Sequence, residues 1–113
     1  MAKSTQIEKI EPTFPSERAK ELIQRQMYQI DGLLQLSYND PEVRKWDNMT
    51  EQILIKAFGK PNDNLSDFLA ARHRSGFVPR NEYGFQEEFK ENLERCRKLL
   101  EGFIEQIDIF SEP

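Results

Sequence analysis

Apolar side chains recur every three or four residues along most of the chain, the spacing of helices that each bury one face. The clearest run covers about 26 residues, roughly 39 Å of helix at 1.5 Å per residue. Its members are Phe85, Phe89, Leu93, Cys96, Leu99, Leu100, Phe103, Ile107 and Phe110. Its outer face sets Glu91 four residues before Arg95 and Glu94 four before Lys98, pairs that stabilise a helix slightly. Gly102 lies within the run, where it either admits a close neighbouring helix or costs about 1 kcal/mol relative to alanine.

Two earlier runs predict two more long helices. The first is expected to begin near Ser16, whose hydroxyl would cap it, and to end at Ser37-Tyr38-Asn39. Its apolar stripe consists of Ala19, Leu22, Ile23, Met27, Ile30, Leu33 and Leu34. The second begins at Asp40-Pro41, an N-cap acceptor followed by proline at the first helical position, and ends at Gly59, expected as a left-handed C-cap. Its stripe consists of Val43, Trp46, Met49, Ile53, Leu54, Ala57 and Phe58.

Trp46 is the only tryptophan and stands between a basic pair and Asp47-Asn48. It falls on the apolar stripe of the second predicted helix, one turn from Val43 and one from Met49. That position favours an indole packed in the core with its N–H near the rim. The alternative is a ring that stacks on a nucleobase or on a partner protein.

A short fourth helix is predicted around Leu65, Phe68 and Leu69, ending near His73-Arg74. It follows a break at residues 60–64 and precedes a loop at residues 75–81, where Val78 is biased to extended geometry because a proline follows it. No β alternation and no internal repeat is present in the sequence.

The sequence therefore predicts an all-α fold, a small helical bundle of three main helices plus one short helix. A chain of 113 residues suits one domain with a modest core, here residues 14–113. Residues 1–13 mix charged and small polar side chains with no sustained period, so we expect a mobile N-terminal arm.

Composition narrows the classes of function. A net charge of −4 and a pI near 5.1 argue against duplex DNA or anionic lipid as the main ligand. A single cysteine permits no internal disulfide and suits a reducing compartment. No apolar run approaches the roughly 20 residues of a membrane span, and the N-terminus lacks the apolar region of a signal peptide. The expectation is a soluble cytoplasmic protein that does not enter a membrane.

The usual signatures of reaction chemistry are missing from the sequence. His73 and Cys96 are each the only residue of their kind, so one chain cannot assemble a Cys/His zinc set. Cys96 lies on the apolar stripe, where a buried thiol is inert. The five glycines stand singly and form no phosphate loop, and the glutamates of the last helix show no Glu-x-x-His spacing for a di-iron site. We predict no catalytic residues, no metal, no cofactor and no enzymatic activity.

One segment departs from the acidic balance of the chain. Residues 60–80 carry four basic and two acidic side chains, whereas residues 81–113 carry four basic and nine acidic ones. The candidate contacts for an anion or a partner are Arg72, His73, Arg74, Phe77 and Arg80. The alternative, which the charge pattern favours, is that Arg72 and Arg74 offset the short helix's C-terminal dipole and pair with nearby carboxylates, while Phe77 plugs the core.

The end of the last helix offers a second candidate surface. Ile104, Ile107, Ile109 and Phe110 lie close together there, and Ile104 and Ile109 fall off the main stripe. They are the candidate interface for a second copy or another protein. The leading hypothesis is thus a non-catalytic interaction or oligomerisation module. The rival is a small nucleotide- or nucleic-acid-binding protein that uses the basic loop at residues 72–80.

The order "ERAKELI", "LLQLSYNDPEVRKW", "ILIKAFG" over residues 16–110 resembles the helical region that precedes TIR-like, predicted nucleotide-binding domains in bacterial abortive-infection proteins. Trp46 and Phe58-Gly59 stand at matching places, after Pro41-Glu42-Val43. In that family the region is accessory and the chemistry lies in the following domain. The sequence ends at Pro113 without such a domain, as either a fragment or a free-standing relative would. The resemblance therefore implies a role in a bacterial defence system but no catalytic residues.

Overall fold

Four helices make up the structure, a computed structural model that describes residues 9–73 and 81–111. They are α1 (Ser16–Leu33), α2 (Pro41–Phe58), α3 (Asp63–Arg72) and α4 (Glu82–Phe110). The described residues contain no strand, only one isolated antiparallel bridge. The prediction of an all-α bundle with three main helices and one short helix is confirmed.

Side-chain caps set the starts of three helices. Asp40 accepts from the backbone N–H of Glu42 at 2.9 Å, as predicted. The amide oxygens of Asn62 and Asn81 do the same for α3 and α4. The predicted cap at Ser16 is wrong, because Ser16 is already helical and the N-cap position is Pro15, which has no side-chain acceptor.

The helices form a closed ring in which each contacts the next and α4 returns to contact α1. Two ion pairs fix α4 antiparallel to α1: Lys20 with Asp108 at 2.8 Å and Asp31 with Arg97 at 2.8 Å. The partners are spaced by the same number of residues on both helices, so the two helices run alongside each other without a register shift. Across the ring, the rings of Phe58 and Phe103 meet in the interior at 5.7 Å.

The buried side chains form one continuous apolar core. Trp46 belongs to it, with its ring 5.9 Å from that of Phe68, so the prediction of a core indole is confirmed. Three members of the predicted stripes are exposed instead: Met49 at 49%, Phe85 at 38% and Phe110 at 79%. Phe85 lies in the first turn of α4, where the centroid of its ring is 5.5 Å from that of Tyr38.

The last residues of the predicted N-terminal arm are attached to the end of α2. Ile10 exchanges two backbone hydrogen bonds of 2.8 Å with Lys60, and Thr13 donates to the carbonyl of Lys56. The arm interpretation is therefore wrong for residues 10–13, because free backbone groups at the end of α2 pair with them. Residues 1–8 lie outside the described residues.

Gly59 makes this attachment possible. Its φ of +87° is the predicted positive value, but its ψ of −177° is extended rather than left-handed helical. A Cβ atom at this position would lie 2.8 Å from the carbonyl oxygen of Ile10 and 3.0 Å from Cδ of Pro12. Only glycine combines this backbone conformation with so close a neighbour.

The outer face of α4 differs from the prediction in two details. Glu94 pairs with Arg97 at 3.0 Å rather than with Lys98, whereas the predicted pair of Glu91 and Arg95 is present at 4.0 Å. At Gly102 a Cβ atom would meet nothing within 4 Å. A close neighbouring helix therefore does not explain this glycine. The other explanation, a weak point within the helix, is the one that fits.

Candidate functional site

The C-terminal end of α4 carries two large apolar side chains that are exposed to solvent. Ile109 is 66% exposed and Phe110 is 79% exposed, whereas Ile104 and Ile107 are half-buried and pack against the core. The predicted interface set is thus split. Phe110 continues the apolar stripe of Ile107 and yet is exposed to solvent.

The charge around this end is unbalanced. After Lys98, α4 carries the acidic residues Glu101, Glu105 and Asp108 and no base, and its last turn has no basic side chain. Carboxylates at a helix C-terminus face the negative end of the helix dipole, which is unfavourable. Lys20 of α1 offsets one of them, and its hydrogen bond to Asp108 raises the pKa of the lysine. We call Glu105, Ile109 and Phe110 the α4 tip.

A small hollow lies at the same end of the bundle. It has a volume of about 340 Å³ and is lined by Lys9, Ile10, Glu11, Pro12, Phe58, Gly59, Lys60 and Pro61. Two contacts tie this end of the ring to the last part of α4. The Asn64 amide donates to Gln106 Oε1 at 2.6 Å, and the ring of Phe58 packs on Phe103. We call the hollow lined by these residues of the N-terminal segment and the end of α2 the α2 hollow.

Arg72, the first arginine of the predicted anion or partner site, is buried and paired and so is not available to a ligand. Arg72 is 8% exposed, and its guanidinium forms a two-pronged ion pair with Asp47, with Nε–Oδ1 at 2.5 Å and Nη2–Oδ2 at 2.9 Å. The alternative interpretation, pairing with a nearby carboxylate, is the one that fits Arg72. His73 is exposed at the C-cap of α3. Arg74, Phe77 and Arg80 lie outside the described residues.

A groove of about 770 Å³ between the start of α2 and the end of α3 adjoins this arginine. Its charged lining consists of three bases, Arg44, Lys45 and Arg72, and three acids, Asp40, Asp47 and Glu51. Arg72 is bonded to Asp47, Lys45 pairs with Glu42 outside the lining, and Asp40 caps α2. The described lining therefore has no excess of positive charge to attract an anion.

Cys96 is fully buried on α4, as predicted. Burial raises the pKa of its thiol to about 12, an effect that the positive charge of Arg72 offsets only in part. At neutral pH the group is a neutral thiol and a poor nucleophile. Within residues 9–73 and 81–111, no three His, Cys, Asp or Glu side chains converge as metal ligands would.

The sequence reasoning missed the polar groups buried between α1 and α2. Gln26 lies on the inner face of α1, where it donates to the hydroxyl of Thr50 at 2.8 Å. The indole N–H of Trp46 donates to the backbone carbonyl of Gln26 at 3.1 Å, inside the core rather than at its rim. Glutamine at position 26, between Ile23 and Ile30 on the apolar stripe, was the available signal.

No helix in the described part of the chain is long and apolar enough to cross a bilayer. Comparison of the sequence with family models and with curated proteins, and of the structure with solved structures, finds no match.

Proposed function

We propose that the chain is a non-catalytic interaction module that binds protein through the α4 tip. The observation that carries this proposal is the pair of large apolar side chains, Ile109 and Phe110, held in water at the end of a 29-residue helix. Full burial of one such side chain is worth about 1.5–3 kcal/mol. A partner that covers both therefore gains a useful part of a binding free energy.

Local features of α4 support the same site. Its last turns combine exposed apolar side chains, carboxylates at the negative end of the helix dipole and a glycine that no neighbour requires. The glycine and the carboxylates weaken the isolated helix, whereas the apolar side chains remain in contact with water until a partner covers them. Departures from local rules that occur together at one place are typical of binding surfaces, where a partner restores what the free chain lacks.

The biological setting in this proposal is a bacterial defence system. That part rests on the sequence resemblance to the helical region of abortive-infection proteins. It adds a class of pathway but no residue roles.

Site-specific photo-crosslinking tests the proposal. Phe110 is replaced by a photoreactive benzoyl derivative of phenylalanine, and the full chain is irradiated in cells that naturally make it. The matched control carries the same group at Tyr83, which is equally exposed near the other end of α4. We expect protein adducts from position 110 and few from position 83. Equal labelling from both positions, or no protein adduct from position 110, would contradict the proposal.

A further inference from the structure

We infer that the α4 tip of one chain is received by the α2 hollow of a second copy, so that two chains pair around a twofold axis. This inference rests on the proposed function and names the partner. It is carried by three properties of the two surfaces: size, charge and position.

The size of the hollow suits an apolar anchor. The α2 hollow is about 340 Å³, and its lining includes Ile10, Pro12, Phe58 and Pro61, whose side chains are largely carbon. One large side chain of the tip, Ile109 or Phe110, can therefore lie against this apolar lining.

The charges of the two surfaces are opposite. The tip contributes Glu105, one helical turn before Ile109, and Glu105 forms no ion pair with a described residue. The hollow contributes Lys60, which also forms none, and Lys9, whose only described partner is the exposed Glu11 at 3.7 Å. Pairing the two surfaces would place the Glu105 carboxylate beside the Lys60 ammonium group.

Both surfaces lie at one end of the bundle. The hollow borders the turn that leads from α2 to α3, and the first turn of α3 is bonded to Gln106, one turn before Phe110. When a projection and its receptor share one face, two copies can satisfy both contacts at once and the assembly closes as a dimer. A receptor on the opposite end would instead produce an open chain of molecules.

A charge exchange tests the pairing. Light scattering of the purified full chain over a concentration series should show a monomer–dimer equilibrium. Lys60→Glu and Glu105→Lys should each lower the association constant about tenfold or more, because each homodimer then contains two like-charge contacts. An equimolar mixture of the two variants should recover dimers, since both contacts of the mixed dimer join opposite charges. Lys90→Glu, an exposed change elsewhere on α4, is the matched control and should leave association unchanged.

The possible outcomes separate this inference from the proposed function. A strict monomer, a mass that grows beyond the dimer, or single variants that associate as well as wild type would each overturn the pairing. So would a mixture that fails to recover. If position 110 then crosslinks a different protein in cells, the interaction module stands and only its partner is wrong. If position 110 crosslinks nothing, both proposals fall.

Discussion

The side-chain amide of Gln26 donates a 2.8 Å hydrogen bond to the hydroxyl of Thr50, and each residue is 1% exposed. The hydroxyl of Thr50 donates a 2.7 Å hydrogen bond to the backbone carbonyl of Trp46, and the indole N–H of Trp46 donates to the backbone carbonyl of Gln26. The three bonds close a circuit between α1 and α2. Because buried polar groups are costly when unpaired, this circuit favours one register of the two helices over its alternatives.

Replacing Thr50 with valine should destabilise the fold by about 1–3 kcal/mol, since the shape is kept but the Gln26 amide loses its buried acceptor. Urea unfolding followed by Trp46 fluorescence would measure the loss. A second change, Gln26→Leu, should cost less in the Thr50→Val background than alone, because the unpaired amide is then removed. Strictly additive costs would show that the two side chains are not coupled.

The ion pair of Arg72 and Asp47 gives a second expectation. Asp47→Ala should cost about 3–5 kcal/mol, because it leaves a buried guanidinium without its carboxylate. Glu42→Ala is the control, since it removes a pair with Lys45 whose side chains are 62% and 73% exposed, and should cost less than about 1 kcal/mol. Equal unfolding midpoints in urea for the two variants would contradict the structural role assigned to Arg72.

At Gly59, substitution by alanine should destabilise the chain by about 1–3 kcal/mol, the cost of forcing a Cβ atom into a positive-φ conformation. The contact with the Ile10 carbonyl should add to it and loosen the attachment of residues 10–13. Hydrogen exchange at the amides of Ile10 and Lys60 is the direct measurement. Exchange that is unchanged in Gly59→Ala would show that the bridge does not depend on this glycine.

The opposite result is expected at Gly102, which lies within α4. Gly102→Ala should stabilise the chain by about 0.5–1 kcal/mol, because alanine restricts the unfolded state and a Cβ atom has open space at this position. Thermal unfolding at a fixed protein concentration would report it as a raised Tm. A lowered Tm would mean that another surface, such as a second copy, closes on this face of α4.

Alkaline pH should destabilise the fold through Cys96. The thiol has a higher pKa in the folded chain, about 12, than in the unfolded chain, near 9.0. The folded state therefore holds its proton more tightly, and this contribution to stability is constant below pH 9 and lost as the pH rises toward 12. The slope is at most roughly 1.4 kcal/mol per pH unit. Urea unfolding of wild type and Cys96→Ala at pH 8 and pH 10.5 isolates this effect, which predicts a smaller alkaline loss in the variant.

Much of the fold could be predicted because the signals were local. Asp40-Pro41 and Gly59 bracket α2 within a few residues of chain, and the stripe of α4 repeats often enough to define a face. Periodicity does not show which side chains of the neighbouring helices cover a given position. Met49 and Phe110 have the correct phase for burial and yet are exposed, because burial depends on contacts between helices that are distant in sequence.

The candidate sites were harder to predict for a related reason. Arg72 is read from sequence as part of a basic run, yet its partner Asp47 lies 25 residues earlier on another helix. The α2 hollow is formed where residues 9–12 meet the end of α2, and nothing in the local pattern of either segment indicates that meeting. Among the predicted surfaces, only the last helix carried a visible signal, an excess of apolar positions beyond one stripe.

The closure of the ring by α4 has a consequence for the order in which the protein is made. Asp31 and Lys20 on α1 find their partners, Arg97 and Asp108, only on α4, about 64 and 75 residues after the end of α1. At ribosomal speeds of about 5–20 residues per second, this side of α1 stays uncovered for about 3–15 s. The nascent chain thus passes through a three-helix stage with an open apolar seam, a period in which chaperones or neighbouring nascent chains compete with α4 for the same surface.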